Sequence, residues 1–141
     1  MTQISTRFSV GVHILAMLAI CKDCVNTSDY IAGSVNTNPV VIRRLTGLLK
    51  KAGFVHTSTG VAGATLAKKP EEITLLDIYR AVGASKNTLF DVHRHTNEKC
   101  PVGANIQSAL ANTLEVTQRA LERELESKTL ADIVNSIKES S

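Results

Sequence analysis

Three features of the sequence predict a mainly α-helical protein with one small β-hairpin. Apolar residues recur at intervals of three or four along most of the chain, which is the spacing of one helix face. Proline occurs only three times in 141 residues, and helix formers such as Ala, Leu, Glu and Lys are common. Two short helices joined by a tight turn precede a glycine-containing stretch with strand-like flanks. This order predicts a winged helix-turn-helix, followed by a long C-terminal dimerisation helix.

The first helix is predicted over residues 5–22, where apolar side chains occupy most faces. A helix of this kind is buried in a core or in a dimer interface. The segment has no charged region ahead of its apolar part and no small-residue cleavage site, so it differs from a signal peptide. No run of about 18 apolar residues is present, so we expect no membrane span. Three cysteines without an export signal favour a reducing, cytoplasmic location.

Residues 27–51 predict the helix-turn-helix. Thr27, Ser28 and Asp29 form an N-cap cluster that opens a short helix ending at Val35. The turn that follows leads to Asn38 as the N-cap of a second helix and to Pro39 at its first helical position, where proline is well tolerated. Two helices in this arrangement are typical of a DNA-binding motif.

The second helix combines an apolar face with basic residues, and Gly53 is predicted to end it. Its apolar face contains Val41, Leu45, Leu48, Leu49 and Ala52. No acidic residue lies between Asp29 and Glu71, but that segment contains the basic residues Arg43, Arg44, Lys50, Lys51, Lys68 and Lys69. A net charge of +3 therefore conceals one strongly cationic segment. A basic helix in such a segment is typical of proteins that bind a polyanion.

A β-hairpin is predicted directly after this helix. Strand-like runs at 54–58 and 64–67 flank a loop at 59–63 that contains two glycines. A hairpin in this position is a wing. Ser58, Thr59 and Gly60 at its tip are small enough to approach a phosphate backbone or a minor groove.

Three further helices are predicted in the C-terminal half. Thr74 and Asp77 resemble a capping box that opens a helix through Val82. Residues 83–99 are polar and predict an irregular loop. The longest helix then follows Cys100 and runs to about residue 126, and a second capping-box-like start at Thr129 opens a last helix to about residue 138.

The longest helix carries one apolar stripe, which needs a partner surface. One interpretation is that the helix packs back on its own domain. Dimerisation is favoured, because operators are commonly read by twofold-symmetric proteins. The candidate dimer residues are Ile106, Leu110, Leu114, Leu121 and Leu125.

These motifs resemble, along nearly the whole chain, the Rrf-two (BadM-type, IscR-like) family of bacterial winged-helix transcriptional regulators. The matching segments are Arg7-Phe8, LKKAGF at 49–54, Gly60 and Gly63, PEEITLLDIYRAV at 70–82, Cys100-Pro101 and TLADIV at 129–134. The PEEITLLD segment followed downstream by LAD is rather specific to this family, whereas a basic helix alone would not distinguish it from other families.

The resemblance implies a homodimer that places its helix-turn-helix motifs in successive major grooves and its wings at the minor groove. Known members often have small hydroxyl, Tyr, Glu and Gln residues along the recognition helix and Arg at the wing tip, so the operator sequence does not transfer. Arg43 and Arg44 are candidates for guanine or phosphate contacts, and the alternative for each is a solvated surface charge. The candidate DNA-binding residues are Arg7, Ser28, Asn38, Val40, Val41, Arg43, Arg44, Lys50, Lys51, Thr59 and Gly60.

The cysteine pattern argues against an iron–sulfur cofactor, and we expect no cofactor. Cluster-binding members of the family carry three cysteines in the loop before the long helix, where this chain has only Cys100. A cluster held by thiolates normally needs about four ligands. A weaker alternative is a metal site of His93, His95 and Cys100, which offers three loosely spaced ligands. The other interpretation is a polar loop with two exposed histidines.

Cys100 is instead a candidate redox sensor. Pro101 places its sulfur at the positive end of a long helix and Lys99 is adjacent, and both features favour the thiolate. The resemblance adds that cluster-free relatives include thiol-based oxidant sensors; the alternative is an inert N-cap. Cys21 and Cys24, spaced i, i+3, are further candidates that either pair with Cys100 or act as small apolar residues. The hypothesis is that oxidation at Cys100 changes the half-site spacing and releases DNA.

The sequence therefore predicts a dimeric DNA-binding regulator, most simply a repressor. Residues 1–82 form the DNA-binding domain, residues 83–100 a loop with sensor residues, and residues 101–141 the dimerisation and C-terminal helices. An enzyme is disfavoured, because the chain has no glycine-rich phosphate loop, nucleophile elbow or carboxylate pair near a histidine. Two alternatives stay open: a metal- or iron–sulfur-dependent regulator of the same fold, and an interaction module whose basic helix binds an acidic protein.

Overall fold

The computed structural model of the protein describes residues 4–83 and 93–141, with side chains from Thr6 onward. The elements in chain order are α1 (Ile4–Ile20), α2 (Ser28–Val35), α3 (Pro39–Lys51), β1 (Val55–Ser58), β2 (Val61–Leu66), a 3-10 turn (Pro70–Glu72), α4 (Leu75–Val82), α5 (Pro101–Glu126) and α6 (Leu130–Ser140). The predicted fold class, a mainly helical winged helix-turn-helix with a long C-terminal helix, is confirmed. Residues 84–92 of the predicted loop lie outside the described residues.

α1 lies at the centre of the core. Its residues Ile14 and Leu15 are fully buried, and α2, α3, α4, α6 and β2 all pack against it. Burying an aliphatic side chain of this size stabilises the fold by roughly 1.5–3 kcal/mol. The apolar character of α1 on most faces is therefore explained by five neighbouring elements within its own chain.

The caps of the helix-turn-helix form as the sequence predicts. Thr27 accepts a hydrogen bond from the Tyr30 N–H at 3.1 Å, and Asn38 Oδ1 accepts one from the Val40 N–H at 2.8 Å. Asn36 ends α2 in the left-handed conformation, with φ of 64°. These short-range contacts fix where α2 ends and where each of the two helices begins, because each cap satisfies backbone groups that a helix end leaves unpaired.

The apolar face of α3 differs from the prediction at two residues. Ile42 is fully buried together with Leu45 and Leu49, although it was not assigned to that face. Ala52 is the exposed C-cap and does not belong to the face, because α3 ends at Lys51. Gly53, with φ of 90°, then turns the chain into the wing.

The wing is tighter than predicted. β1 and β2 pair antiparallel, with Val55 opposite Leu66 and Ser58 opposite Val61. The loop is therefore residues 59–60 alone, and the predicted loop residues 61–63 belong to β2. Gly60 makes this tight loop possible, because its φ of 79° strains any residue with a side chain.

The last helix closes the same core. Thr74 and Thr129 each cap a helix, and the two residues pair with each other as an isolated β-bridge. Two backbone hydrogen bonds flank this bridge: the Leu75 N–H donates to the Lys128 carbonyl, and the Leu130 N–H donates to the Ile73 carbonyl. Leu130 is fully buried. α6 thus packs with the winged helix, whereas none of the side chains of α5 is buried. In the described part of the chain, no helix has the length and apolarity needed to cross a bilayer.

Candidate nucleic-acid interface

The outward face of α3 presents basic and apolar side chains on a fixed support. Arg43 and Arg44 are exposed, and Val40 is 50% exposed. Neither arginine has an ion pair or side-chain hydrogen bond within residues 4–83 and 93–141. Their guanidinium groups are therefore available to bases or phosphates.

Two of the other candidates on α3 are placed differently. Val41 is half-buried and packs against the core, so it faces the protein more than solvent. Asn38 is exposed, but its Oδ1 atom already caps the helix. Its amide N–H₂ group is the part that is available to a base.

Lys50 connects the recognition helix to the wing. Its Nζ atom donates to Thr57 Oγ1 in β1 at 2.6 Å, a contact that the sequence analysis did not predict. Lys51, next to it, is exposed at the end of α3. One of the two lysines thus orients the wing relative to α3 while the other adds positive charge.

The tip of the wing is fully accessible. Thr59 and Gly60 are exposed, and Val61 is 66% exposed. At the other end of the hairpin, Lys68 Nζ lies 5.4 Å from the centre of the Phe54 ring, in a cation–π contact. The positive charge of the acid-free segment therefore extends from α3 to the base of the wing.

Two further DNA-binding candidates lie near helix starts. Arg7 is half-buried in the first turns of α1, and Ser28 is half-buried at the first position of α2. Ser28 is thus at the N-terminus of α2, and a helix N-terminus is in general a favourable environment for a phosphate.

Cys100 is exposed at the N-cap of α5. Its side chain makes no capping hydrogen bond. The backbone N–H groups of Gly103 and Val102 lower the pKa of the Cys100 thiol, and slight desolvation raises it by a smaller amount. The loop before it folds onto α5, since Gln107 donates to the His93 carbonyl at 3.0 Å. A side chain at Gly103 would place its Cβ atom 2.2 Å from the Asn97 carbonyl oxygen, so glycine is required there.

Cys21 and Cys24 lie together at the end of α1, distant in sequence from Cys100. Both are half-buried. Burial raises the pKa of Cys21, and the neighbouring Cys24 thiol raises it further. The Tyr30 hydroxyl donates to Cys24 Sγ at 3.6 Å, and this hydrogen bond is the main reason that the pKa of Tyr30 is raised.

Asn26 and Tyr30 were missed by the sequence analysis. Asn26 is 5% exposed and the Asn26 carbonyl accepts a hydrogen bond from the Ala64 N–H at 3.1 Å, so it joins the end of α1 to the wing. The available signal was weak: an Asn between a CxxC pair and an N-cap resembles an ordinary loop residue.

Comparison with known proteins identifies the family. The sequence model of Rrf2, described as an iron-dependent transcriptional regulator, matches residues 4–136. The chain belongs to the Rrf2 family of transcriptional regulators. It is 49% identical over 134 residues to YwnA of Bacillus subtilis (strain 168), assigned as an HTH-type transcriptional regulator, across 95% of this chain and 98% of YwnA.

Solved structures agree with this assignment. A crystal structure described as that of a DNA-binding protein is 48% identical, with a TM-score of 0.73, over 90% of this chain and 97% of the other. IscR of T. potens has the same fold at 23% identity, with a TM-score of 0.69, over 99% of this chain and 91% of IscR. The family and its relatives are transcriptional regulators rather than enzymes, as the sequence predicted.

The iron in the description of the Rrf2 family does not fit the residues that the structure describes. Within those residues, no group of three or more His, Cys, Asp or Glu side chains is placed to share an ion. His93, His95 and Cys100, the weak metal alternative, are exposed and are not brought together as such a group. Cys21 and Cys24 offer two sulfur ligands, which is fewer than an iron–sulfur cluster requires.

The stripe on α5 is only partly covered in the single chain. Leu110 is 39% exposed, and Ile106, Leu114 and Leu121 are half-buried. Leu125 differs from the others, because it packs against the core of its own chain. The middle of α5 is held to α4 by Gln118, which donates to the Tyr79 hydroxyl at 3.3 Å.

Proposed function

We propose that this Rrf2-family chain is a dimeric, cytoplasmic, sequence-specific DNA-binding repressor whose DNA binding is switched by thiol oxidation at Cys100. The outward face of α3 carries the proposal. Val40, Arg43 and Arg44 project from a helix whose opposite face is fully buried. A rigid helix of this kind positions base-reading side chains with little loss of conformational entropy on binding.

The arginines have two uses on a duplex. A guanidinium group that reaches a guanine edge donates two hydrogen bonds to O6 and N7, which specifies that base. A guanidinium group on a phosphate adds affinity without sequence preference. Val40 supplies an apolar contact suited to a thymine methyl group.

The dimer is proposed to form along α5. Val102 and Val116 are 68% and 53% exposed, in addition to the predicted stripe. A helix of 26 residues without one buried side chain has too little contact with its own chain to account for its apolar residues. A twofold pairing of α5 would cover them and would present two copies of α3 to two half-sites.

The switch is proposed to act at the start of the same helix. A thiolate is the nucleophile toward peroxides and other oxidants, and the backbone N–H groups that lower the pKa of Cys100 increase its thiolate fraction. Oxidation by a peroxide gives a sulfenic acid and releases water. In the proposed switch, the oxygen added to the exposed Cys100 side chain disturbs the start of α5, and this changes the dimer geometry and the half-site spacing.

The test is fluorescence anisotropy on the protein's own promoter fragment and on scrambled DNA at one salt concentration. Specific binding that is lost after mild peroxide and restored by dithiothreitol is expected for the Cys21→Ser, Cys24→Ser protein, whose remaining thiol is Cys100, while the same protein with Cys100→Ser in addition keeps binding. Binding that is specific but insensitive to oxidant would refute the switch and retain the regulator. Equal, weak binding to both DNAs would refute sequence-specific regulation at this promoter.

A further inference from the structure

The turn that ends α1 holds Cys21 and Cys24 at a Cα separation that a disulfide can span. The Cys24 N–H donates to the Cys21 carbonyl at 3.2 Å, which makes residues 21–24 a β-turn. The Cα atoms at the two ends of a β-turn lie less than about 7 Å apart. That separation is within the range that a disulfide spans.

The two cysteines have different surroundings. Burial raises the pKa of Cys21, which keeps its thiol protonated. Cys24 accepts the hydrogen bond from the Tyr30 hydroxyl and lines a cleft of about 610 Å³ between the end of α1, β2 and the 3-10 turn. Cys24 is therefore the sulfur that a small oxidant reaches first.

The same turn is connected to the wing by two consecutive hydrogen bonds. Asn26 Nδ2 donates to the Cys21 carbonyl at 3.0 Å, and the Asn26 carbonyl accepts from the Ala64 N–H in β2 at 3.1 Å. Gly63 approaches so closely that a Cβ atom there would lie 3.1 Å from the Asn26 nitrogen. Because Asn26 contacts β2 this closely, a displacement of the turn also displaces β2.

We propose that Cys21 and Cys24 form a second redox site, in which a peroxide converts the dithiol into an intrachain disulfide that releases the wing from the end of α1. This inference rests on the proposed DNA-binding function, because the wing is the element whose position it changes. It does not involve Cys100.

The chemistry balances with one molecule of hydrogen peroxide. The Cys24 sulfur attacks a peroxide oxygen, the O–O bond breaks, and a sulfenic acid and one water form. The Cys21 sulfur then attacks the sulfenyl sulfur, the S–S bond forms, and the hydroxyl leaves as a second water. The two sulfurs lose two electrons, which reduce the peroxide, and both thiol protons end in water.

The geometric consequence follows from the turn. The Cα separation already permits the bond, but a disulfide also fixes the dihedral angle about its S–S bond near ±90°, and the proposal is that the turn adjusts to this angle and displaces the Cys21 carbonyl. Asn26 then loses its partner, and the hydrogen bond from Ala64 weakens with it. β2 then loses one of the contacts that hold it to the end of α1, and we expect DNA affinity to fall on the order of 10-fold, which is typical of coupling between two sites.

The experiment uses the full-length Cys100→Ser protein, in which Cys21 and Cys24 are the remaining thiols. Peroxide is expected to lower the intact mass by two hydrogen atoms, to reduce DNA affinity, and to speed amide exchange in β2, all reversed by dithiothreitol. The matched control is Cys21→Ser in the same background, which gives a trappable sulfenic acid on Cys24 but retains DNA binding and slow exchange.

Three outcomes would overturn the proposal. The thiols remain reduced or link two chains; the disulfide forms without a change in DNA affinity or β2 exchange; or the Cys21→Ser control loses DNA binding to the same extent. Reduced protein that binds no DNA would refute the proposed function instead. The mass and the β2 exchange would still decide whether the disulfide forms and loosens the wing.

Discussion

Replacing Arg43 and Arg44 together by Ala removes the two guanidinium groups that project from α3. Both are exposed and have no ion pair within the described residues, so their removal leaves no buried charge unpaired. Surface substitutions of this kind usually change the free energy of unfolding by less than about 0.5 kcal/mol. A loss of DNA binding in the variant therefore reports on the interface and not on folding.

The expected magnitude follows from counterion release. Each phosphate-bound cation contributes about 0.9 to the slope of log affinity against log salt. If both arginines contact phosphates, the slope becomes shallower by about 1.8 for each subunit and by about 3.6 for a dimer. If they read guanines, the slope changes less, and discrimination against a substituted G·C pair falls by about 1–3 kcal/mol at each base.

The assay is fluorescence anisotropy on operator and scrambled DNA across a range of salt concentrations. The matched control is Lys128→Ala with Lys138→Ala, which removes the same formal charge from exposed positions near the C-terminus. We expect the control to keep a nearly wild-type slope. An unchanged slope and unchanged specificity in the arginine variant would refute the proposed interface, and an equal effect in the control would assign binding to net charge alone.

Three further predictions concern stability and reactivity. Leu130→Ala should lower the free energy of unfolding by roughly 2–5 kcal/mol in urea titrations, because Leu130 is fully buried, whereas Ile137→Ala, at 44% exposed, should have little effect. Asn38→Ala should cost about 1 kcal/mol in the same titrations by removing the cap of α3, and Asn38→Asp should retain it; equal losses would contradict the capping role. In a Cys21→Ser, Cys24→Ser protein, alkylation of Cys100 should reach half its maximal rate at a lower pH in the native than in the urea-unfolded chain, because the fold lowers its pKa; an equal or higher midpoint would contradict this.

The local part of the structure was predictable because it depends on neighbouring residues. The caps at Thr27, Asn38, Thr74 and Thr129 each use a side chain and a backbone group two or three positions away. Such contacts are encoded in short motifs. The exposure of Arg43 and Arg44 follows in the same way from the helical period of α3.

The parts that were missed depend on contacts between distant segments. The predicted five-residue wing loop was wrong because Val61 pairs with Ser58. Gly60 permits this short loop through its positive φ, which strand propensity does not reveal. Asn26 is buried and bonded to Ala64 in β2, which lies far from it in sequence, so the residues around Asn26 do not indicate its burial. The Lys50–Thr57 hydrogen bond likewise requires α3 and β1 to be in place.

The length of α5 has a mechanical consequence. At 1.5 Å per residue, its 26 residues extend about 39 Å, which is slightly more than one turn of B-DNA. In the proposed dimer this helix acts as a lever arm, with Cys100 at one end. A tilt of about 5° would displace the far end by roughly 3 Å, which is close to the rise of one base pair. A small chemical change at Cys100 would therefore be enough to move the two copies of α3 out of register with their DNA half-sites.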